Sequence, residues 1–183
     1  MSHGPGFCAA VAALVLAGGA ARADSVHLFS YDPADATTRQ AAGPLTFTFR
    51  KGLFHLTLLN LRSTEATATA YLKPADEKSL GLHGRSAAIA AALAGRDLYR
   101  VEDAAEGSAL VSAFCPGQGR AWMAFGPVRP NRDLTVMVIG APARGGEAVP
   151  CQTLKFSFHG EWTLPPGRTI DALDLKRPRF PGS

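Results

Sequence analysis

The 183-residue sequence is poor in cysteine, in clustered charge and in long apolar runs. Nucleic-acid-binding surfaces need grouped Lys and Arg, whereas the formal net charge of +4 is spread along this chain. After residue 23, every apolar run is interrupted by a charged residue, Pro or Gly, and a transmembrane helix needs about 20 consecutive apolar residues. We therefore expect no nucleic-acid partner, no transmembrane span, and a protein that is soluble or at most peripheral to a membrane.

Motifs for catalysis and for cofactor binding are also missing. No C-x-x-C, H-x-H or H-E-x-x-H sequence occurs, and the glycines around Gln118 lack the third glycine of a dinucleotide-binding fingerprint. Ser86 follows a histidine by three positions, but no G-x-S-x-G turn surrounds it, and its position suits a helix cap. The sequence therefore predicts no cofactor, no metal ion and no identifiable catalytic residue.

The most specific feature that is present is an apolar segment near the N-terminus. The residues from Phe7 to Ala17 are apolar or small, and Ala21-Arg22-Ala23 supplies the small residues that a signal peptidase selects. Residues 1–6 contain no Lys or Arg, which departs from the usual signal pattern, and a buried N-terminal helix is the alternative. We interpret residues 1–23 as a signal peptide, so the protein would be exported, either periplasmic or secreted, after cleavage near Ala23.

Export also determines how the cysteines are interpreted. Cys8 lies in the segment that cleavage would remove, which leaves Cys115 and Cys151. An even cysteine count in an exported protein is typical of a disulfide, and closing a loop of about 35 residues contributes about 4 kcal/mol in the chain-entropy treatment. The competing interpretation, a nucleophilic Cys115, needs a base to generate the thiolate, and no histidine is close in sequence. We predict a Cys115–Cys151 disulfide.

The rest of the chain shows mainly the alternation of β-strands. Leu45, Phe47 and Phe49 alternate with threonines, which predicts an inner apolar face and an outer polar face. The segment 134–139 is nearly all apolar and is expected to be a central strand, buried on both faces. Further candidate strands, separated by Pro and Gly turn signals, are 26–31, 54–61, 67–72, 98–101, 110–114, 121–125 and 154–159.

One segment is expected to be helical. The stretch from Ser86 to Leu93 is rich in alanine, and Ser86 can cap its start while Gly95 can end it in a left-handed conformation. A helix this short needs support from the sheet. The sequence therefore predicts a mainly β fold (all-β or α+β), an antiparallel β-sandwich or partly open barrel of about nine strands with one short helix near residues 86–94.

The domain organisation follows from these segments. Residues 24–164 would form one β-rich domain, and residues 165–183 an extended tail that contains several prolines. The tail holds the only local basic cluster, formed by Lys176, Arg177 and Arg179. A solvated, frayed terminus is favoured over contact of this cluster with membrane headgroups.

Two pairs of residues are candidates for ligand binding. Arg120 precedes Trp122 by two positions and would share a strand face with it, where a guanidinium beside an aromatic ring suits an acidic or sugar-like ligand. His159 and Glu161 would also share a face if their strand is regular, although Gly160 can introduce a bulge. The structural alternative for the first pair is an Arg side chain that packs over Trp. For the second pair it is a solvated outer face.

Function is the least determined property of the sequence. We expect a non-enzymatic, disulfide-stabilised envelope protein that binds a small ligand or an envelope protein. The alternative is a small exported hydrolase that uses His159 and Glu161, with His55 as a further candidate. This alternative requires His159, Glu161 and another His or acidic residue to converge within hydrogen-bond distance in one cleft.

Overall fold

The computed structural model describes residues 25–51, 56–81, 86–102 and 106–164. Within them, eight antiparallel strands close into a barrel, each strand pairing with the next and the last with the first. The strands are β1 Ser25–Pro33, β2 Leu45–Lys51, β3 Leu56–Ser63, β4 Ala68–Ala75, β5 Asp97–Val101, β6 Arg120–Phe125, β7 Leu134–Ala141 and β8 Val149–Leu164. The helices are α1 Ala36–Ala41, α2 Ala87–Leu93 and α3 Gly107–Phe114, with a 3-10 turn at Glu77–Leu80.

Three parts of the chain named above lie outside the described residues. They are the proposed signal peptide at 1–23, the tail at 165–183 with its basic cluster, and the segment 52–55 that contains His55. None of the helices in the described ranges has both the length and the apolar character needed to cross a membrane.

The expected architecture is correct in class and wrong in three details, the first of which is that the described ranges hold three α-helices where one was expected. The fold is mainly β and antiparallel, but the sheet closes completely, so it is neither a sandwich nor a partly open barrel. The segment 110–114, expected to be a strand, belongs to α3, which reduces the strands from about nine to eight. Leu110, Val111 and Phe114 are all buried, and these spacings place them on one helical face. A short apolar run does not by itself distinguish a strand from a buried helix.

Inward-facing side chains fill the interior of the barrel. Leu45, Phe47 and Phe49 lie inside, which confirms the alternation predicted for β2. The ring of Tyr31 meets that of Phe47 edge to face, with centroids 5.9 Å apart and an interplanar angle of 89°. An eight-stranded barrel leaves an interior that side chains of this size can occupy.

The helix α3 closes one end of the barrel. It packs against β4, β5 and β6, and its apolar residues belong to the same buried cluster as the inner face of the strands. Cys115, directly after α3, is bonded to Cys151 of β8, which confirms the predicted disulfide. Gln152 Nε2 also donates a hydrogen bond of 2.6 Å to the carbonyl oxygen of Phe114. One covalent bond and one hydrogen bond therefore attach the end of α3 to the barrel wall.

The helix predicted near residues 86–94 is confirmed as α2. Its N-cap is Ser86, whose Oγ accepts a hydrogen bond of 3.2 Å from the Ile89 amide. Gly95 follows it with a φ of +66°, in the left-handed region expected for this position. The Ile89 side chain is fully buried, so α2 is held by packing against the sheet.

A second apolar cluster lies on the outer face of β5, β6 and β7, under α2 and the 3-10 turn. Its buried members are Leu80, Ile89, Leu98, Trp122, Ala124, Ile139, Ala141 and Ala148. Val136 and Val138 face the interior and Ile139 faces this outer cluster, but Thr135 on the outer face is exposed and Met137 is half-buried. The prediction that the segment 134–139 is buried on both faces therefore holds only toward its C-terminal end.

Candidate functional site

A β-bulge in β8 separates His159 from Glu161. In the pairing of β1 with β8, Tyr31 lies opposite Phe158 and Ser30 lies opposite Gly160, so His159 is the extra residue. One extra residue reverses which face the following side chains occupy. The structure therefore does not bring His159 and Glu161 together, which removes the geometric condition for a hydrolase built on this pair.

Glu161 lies on the inner face and bonds to His27 of β1. It is opposite Phe29, an inward-facing core residue. His27 Nδ1 is 2.7 Å from Glu161 Oε1, and His27 Nε2 is 3.1 Å from Ser25 Oγ. A neutral imidazole protonated at Nδ1 donates to the carboxylate and accepts from the serine hydroxyl at Nε2. We call Ser25, His27 and Glu161 the inner triad.

The inner triad lies near the barrel end opposite α3 and against the apolar interior. The His27 ring stacks on Phe29, with centroids 6.5 Å apart, and His27 pairs across the sheet with Phe49. Phe29 and Phe49 are buried, whereas the Glu161 side chain is 29% exposed. The imidazole thus has an apolar wall on one side and remains accessible to water at the carboxylate.

His159 takes part in a second carboxylate–imidazole contact, on the outer face. Its Nδ1 lies 2.8 Å from Asp32 Oδ2, and both side chains are about half exposed. Trp162 stacks on the His159 ring, with centroids 5.9 Å apart and planes inclined by 27°. A Cβ at Gly160 would lie 3.0 Å from an indole carbon, so the absence of a side chain there lets the indole approach the backbone. We call Asp32, His159, Gly160 and Trp162 the outer platform.

Arg120 and Trp122 share the outer face of β6, on different strands from the outer platform. The Arg120 guanidinium lies 5.5 Å from the Trp122 ring centroid, and its Nε donates to the Pro142 carbonyl at 3.0 Å. Trp122 is only 1% exposed, and its Nε1 donates to Ser79 Oγ at 3.1 Å. The arrangement is that of an Arg side chain packed over a buried Trp.

The four residues predicted to bind a ligand do not converge on one concavity. Arg120 lies over Trp122, which packs under the 3-10 turn, whereas His159 is on the outer platform and Glu161 is in the inner triad. Their role in ligand binding stays a prediction.

Sequence reasoning missed three residues of these sites, Ser25, His27 and Asp32. The spacing of Ser25 and His27 was an available signal, because positions i and i+2 of a strand share a face. Their contact with Glu161 depends on the pairing of the first strand with the last, which no local pattern reports. In the described ranges, no group of three or more His, Cys, Asp and Glu side chains is placed to hold a metal ion. No protein-family model, curated protein or solved structure matches the chain.

Proposed function

We propose that this chain is an exported, disulfide-stabilised binding protein whose outer platform holds a sugar. The export proposal is supported by the apolar N-terminal segment with Ala21-Arg22-Ala23, and by a disulfide of the kind that persists in oxidising compartments. The observation that carries the binding proposal is the Trp162 side chain. It is large, aromatic and 48% exposed, and it is stacked beside a carboxylate–imidazole pair.

The chemistry of a sugar ring matches this arrangement. A pyranose presents C–H groups on one face, which pack on an indole as other apolar groups do, and hydroxyls around its edge. Asp32 and His159 bond to each other through one oxygen and one nitrogen. The remaining polar atoms, Asp32 Oδ1 and His159 Nε2, have no hydrogen-bond partner in the described part of the chain and can bond to hydroxyls.

The outer platform is also preorganised. Asp32 orients the imidazole, and the stacking of His159 against Trp162 restricts both rings before a ligand arrives. Side chains that are ordered in the free protein lose less conformational entropy on binding. A small, rigid ligand can therefore bind at this shallow surface without first having to order its side chains.

Binding can be tested with the mature protein on an array of neutral, acidic and amino-sugar glycans, followed by fluorescence titration. We expect a soluble glycan whose affinity falls at least about tenfold in Trp162→Ala and in His159→Ala. Tyr71→Ala is the matched control, because Tyr71 is another outward aromatic that is 51% exposed. The proposal is wrong if no glycan binds, if Trp162→Ala binds as tightly as the parent, or if only a protein partner is retained.

Export is tested separately by mass spectrometry of protein recovered from outside the cytoplasm. We expect the first residue to be Asp24 or Ser25, because the small residues before them suit a signal peptidase. Exported protein that still begins with Met1 would contradict the signal-peptide interpretation.

A further inference from the structure

We infer that the inner triad is a hydrolytic site in which Ser25 is the nucleophile, His27 the general base and Glu161 the residue that positions the base. This activity goes beyond sugar binding and uses the opposite face of the sheet. It rests on two consecutive hydrogen bonds that share one imidazole.

The distances meet the requirements for an activated serine. A nucleophilic hydroxyl needs a base within about 2.6–3.2 Å, and the base needs a third group that holds its ring and tautomer. Ser25 Oγ is 3.1 Å from His27 Nε2, and Glu161 Oε1 is 2.7 Å from His27 Nδ1. Each nitrogen therefore contacts the group that its role requires. The serine lies on a strand rather than on a sharp turn, which is why no sequence motif marks it.

The outer platform provides an internal comparison. His159 is also held at Nδ1 by a carboxylate, that of Asp32, at 2.8 Å. No serine or threonine hydroxyl bonds to its Nε2 in the described ranges. The two histidines thus have the same orienting contact, and only His27 has a nucleophile on its other nitrogen.

Lys51, on the neighbouring strand, can supply a positive charge to the reaction. Lys51 is directly opposite Ser25 in the pairing of β1 with β2, so their side chains emerge on the same face about 5 Å apart at Cβ. A flexible ammonium at this position reaches the oxygen of a carbonyl under attack by Ser25. It would stabilise the negative charge of the tetrahedral intermediate.

The substrate class that fits is an ester of a short apolar carboxylic acid. Leu56, opposite Lys51 and 46% exposed, extends the apolar surface beyond the buried Phe49 and Leu58. The core beneath is filled, so an acyl group lies along this rim and a long chain has no interior space to enter. The leaving group of an ester is an alcohol, which departs from the acyl carbon more easily than the amine of an amide does.

The reaction balances with water as the only co-substrate. Ser25 Oγ forms a bond to the acyl carbon as His27 Nε2 takes its proton, and the carbon–oxygen bond to the alcohol then breaks as His27 returns that proton to the departing oxygen. Water next attacks the acyl-Ser25 ester and gives a proton to His27 Nε2. Collapse of the second intermediate releases the carboxylic acid, and the proton on His27 restores the serine hydroxyl. The Glu161 carboxylate contacts His27 Nδ1 and stabilises the imidazolium.

The first test is hydrolysis of p-nitrophenyl acetate and p-nitrophenyl decanoate by the mature protein. We expect turnover of the acetate above the buffer rate, a slower rate with the decanoate, and a loss of at least about 100-fold in Ser25→Ala and in His27→Asn. Ser30→Ala is the control, since Ser30 lies on the outer face, where it bonds to Thr46, and this variant should retain the parent rate within about twofold. A parent rate equal to buffer, or an unchanged rate in Ser25→Ala, overturns the inference.

The second test separates the positioning role of Glu161 from a structural one. Glu161→Gln should lower kcat by about 100-fold or more with little change in KM, and Glu161→Asp should recover part of kcat because it keeps the charge. Equal rates for the Gln and Asp variants contradict this role.

The third test identifies the nucleophile directly. A fluorophosphonate probe followed by peptide mapping should add its phosphonyl mass to Ser25 in the parent and to no residue in His27→Asn. Labelling of a different serine, or no labelling, contradicts the assignment. The sugar-binding proposal and the esterase inference can be refuted independently, because Trp162→Ala should keep esterase activity and Ser25→Ala should keep glycan binding.

Discussion

At the scale of single residues, Tyr31 places a polar group in the apolar interior of the barrel. Its side chain is fully buried between Phe47 and Phe158, and its hydroxyl has no hydrogen-bond partner within the described residues. Burial, and secondarily the Asp133 carboxylate, raises the pKa of Tyr31 to about 12. A buried hydroxyl without a partner destabilises a fold by about 1–3 kcal/mol.

Replacing this hydroxyl should therefore stabilise the protein. We expect Tyr31→Phe to raise the free energy of unfolding by about 1 kcal/mol, because the ring still fills the same space and the unpaired polar group is gone. Chemical denaturation measures the effect, and Tyr71→Phe, at an exposed position, is the control. A loss of stability in Tyr31→Phe would show that the hydroxyl has a partner.

The same residue makes the protein sensitive to alkaline pH. Burial raises the pKa of Tyr31 and that of Tyr99, whereas tyrosine in an unfolded chain titrates near about 10. Between these values the unfolded chain binds fewer protons than the folded one, so stability falls as the pH rises from about 10 to about 12. Denaturation curves across this range should show a smaller fall for Tyr31→Phe than for the parent. An equal fall in both proteins would assign the sensitivity to other groups.

Gly140 is required by the disulfide rather than by its backbone conformation. A Cβ there would overlap Cys115 Sγ and lie 2.7 Å from Cys151 Sγ. We expect Gly140→Ala to cost about 1–3 kcal/mol in unfolding free energy, because the added methyl must displace the bridge. Gly126→Ala is the matched control with an expected change within about 0.5 kcal/mol, since nothing lies within 4 Å of its added Cβ. Similar costs for the two variants would show that the space at Gly140 does not matter.

At the scale of elements, α2 and α3 are helical for different physical reasons. α2 is seven residues long and has both a side-chain cap and a buried anchor, Ile89. α3 is eight residues long and has no side-chain cap, so its helical form depends on the barrel interior that receives Leu110, Val111 and Phe114. α2 was therefore predictable from local chemistry, and α3 was not.

The cap of α2 can be tested by itself. Ser86→Ala should lower the free energy of unfolding by about 1 kcal/mol, and Ser86→Gly by only a few tenths, because glycine leaves the amides of the first turn open to water. Thermal or chemical denaturation of both variants measures the difference. Equal stability of Ser86→Ala and the parent would mean that packing of Ile89 alone holds the helix.

At the scale of the whole molecule, the disulfide is a covalent constraint between two separate elements. It joins positions separated by 36 residues and links the end of α3 to β8. Replacing both cysteines by alanine should lower the free energy of unfolding by about 4 kcal/mol, because the unfolded chain regains the freedom of that loop. The parent in reductant should match the double variant in a denaturant titration. A double variant as stable as the oxidised parent would contradict this account.

Much of the fold could be predicted from the sequence, because its signals are local. Three of these signals each involve only a few neighbouring residues, namely the alternation on β2, the apolar run of β7 and the Ser86 cap. The described structure confirms each of these elements, and it confirms the disulfide predicted from the even cysteine count. Residues 1–23 and 165–183 lie outside the described ranges, so the export signal and the tail stay predictions.

Only the tertiary structure decided how these elements join and what the polar residues meet. Closure of the sheet pairs β1 with β8, and the bulge at His159 turns Glu161 inward to His27 while His159 meets Asp32 outside. Both outcomes depend on contacts between residues more than 120 positions apart, at His27–Glu161 and at Asp32–His159, separated by 134 and 127 positions. The alternation of a single strand carries no information about its partner, and one extra residue exchanges the two faces. The strands, apart from the one wrongly expected at 110–114, followed from local sequence, and the disulfide followed from the cysteine count. Both candidate sites, in contrast, exist because the barrel closes.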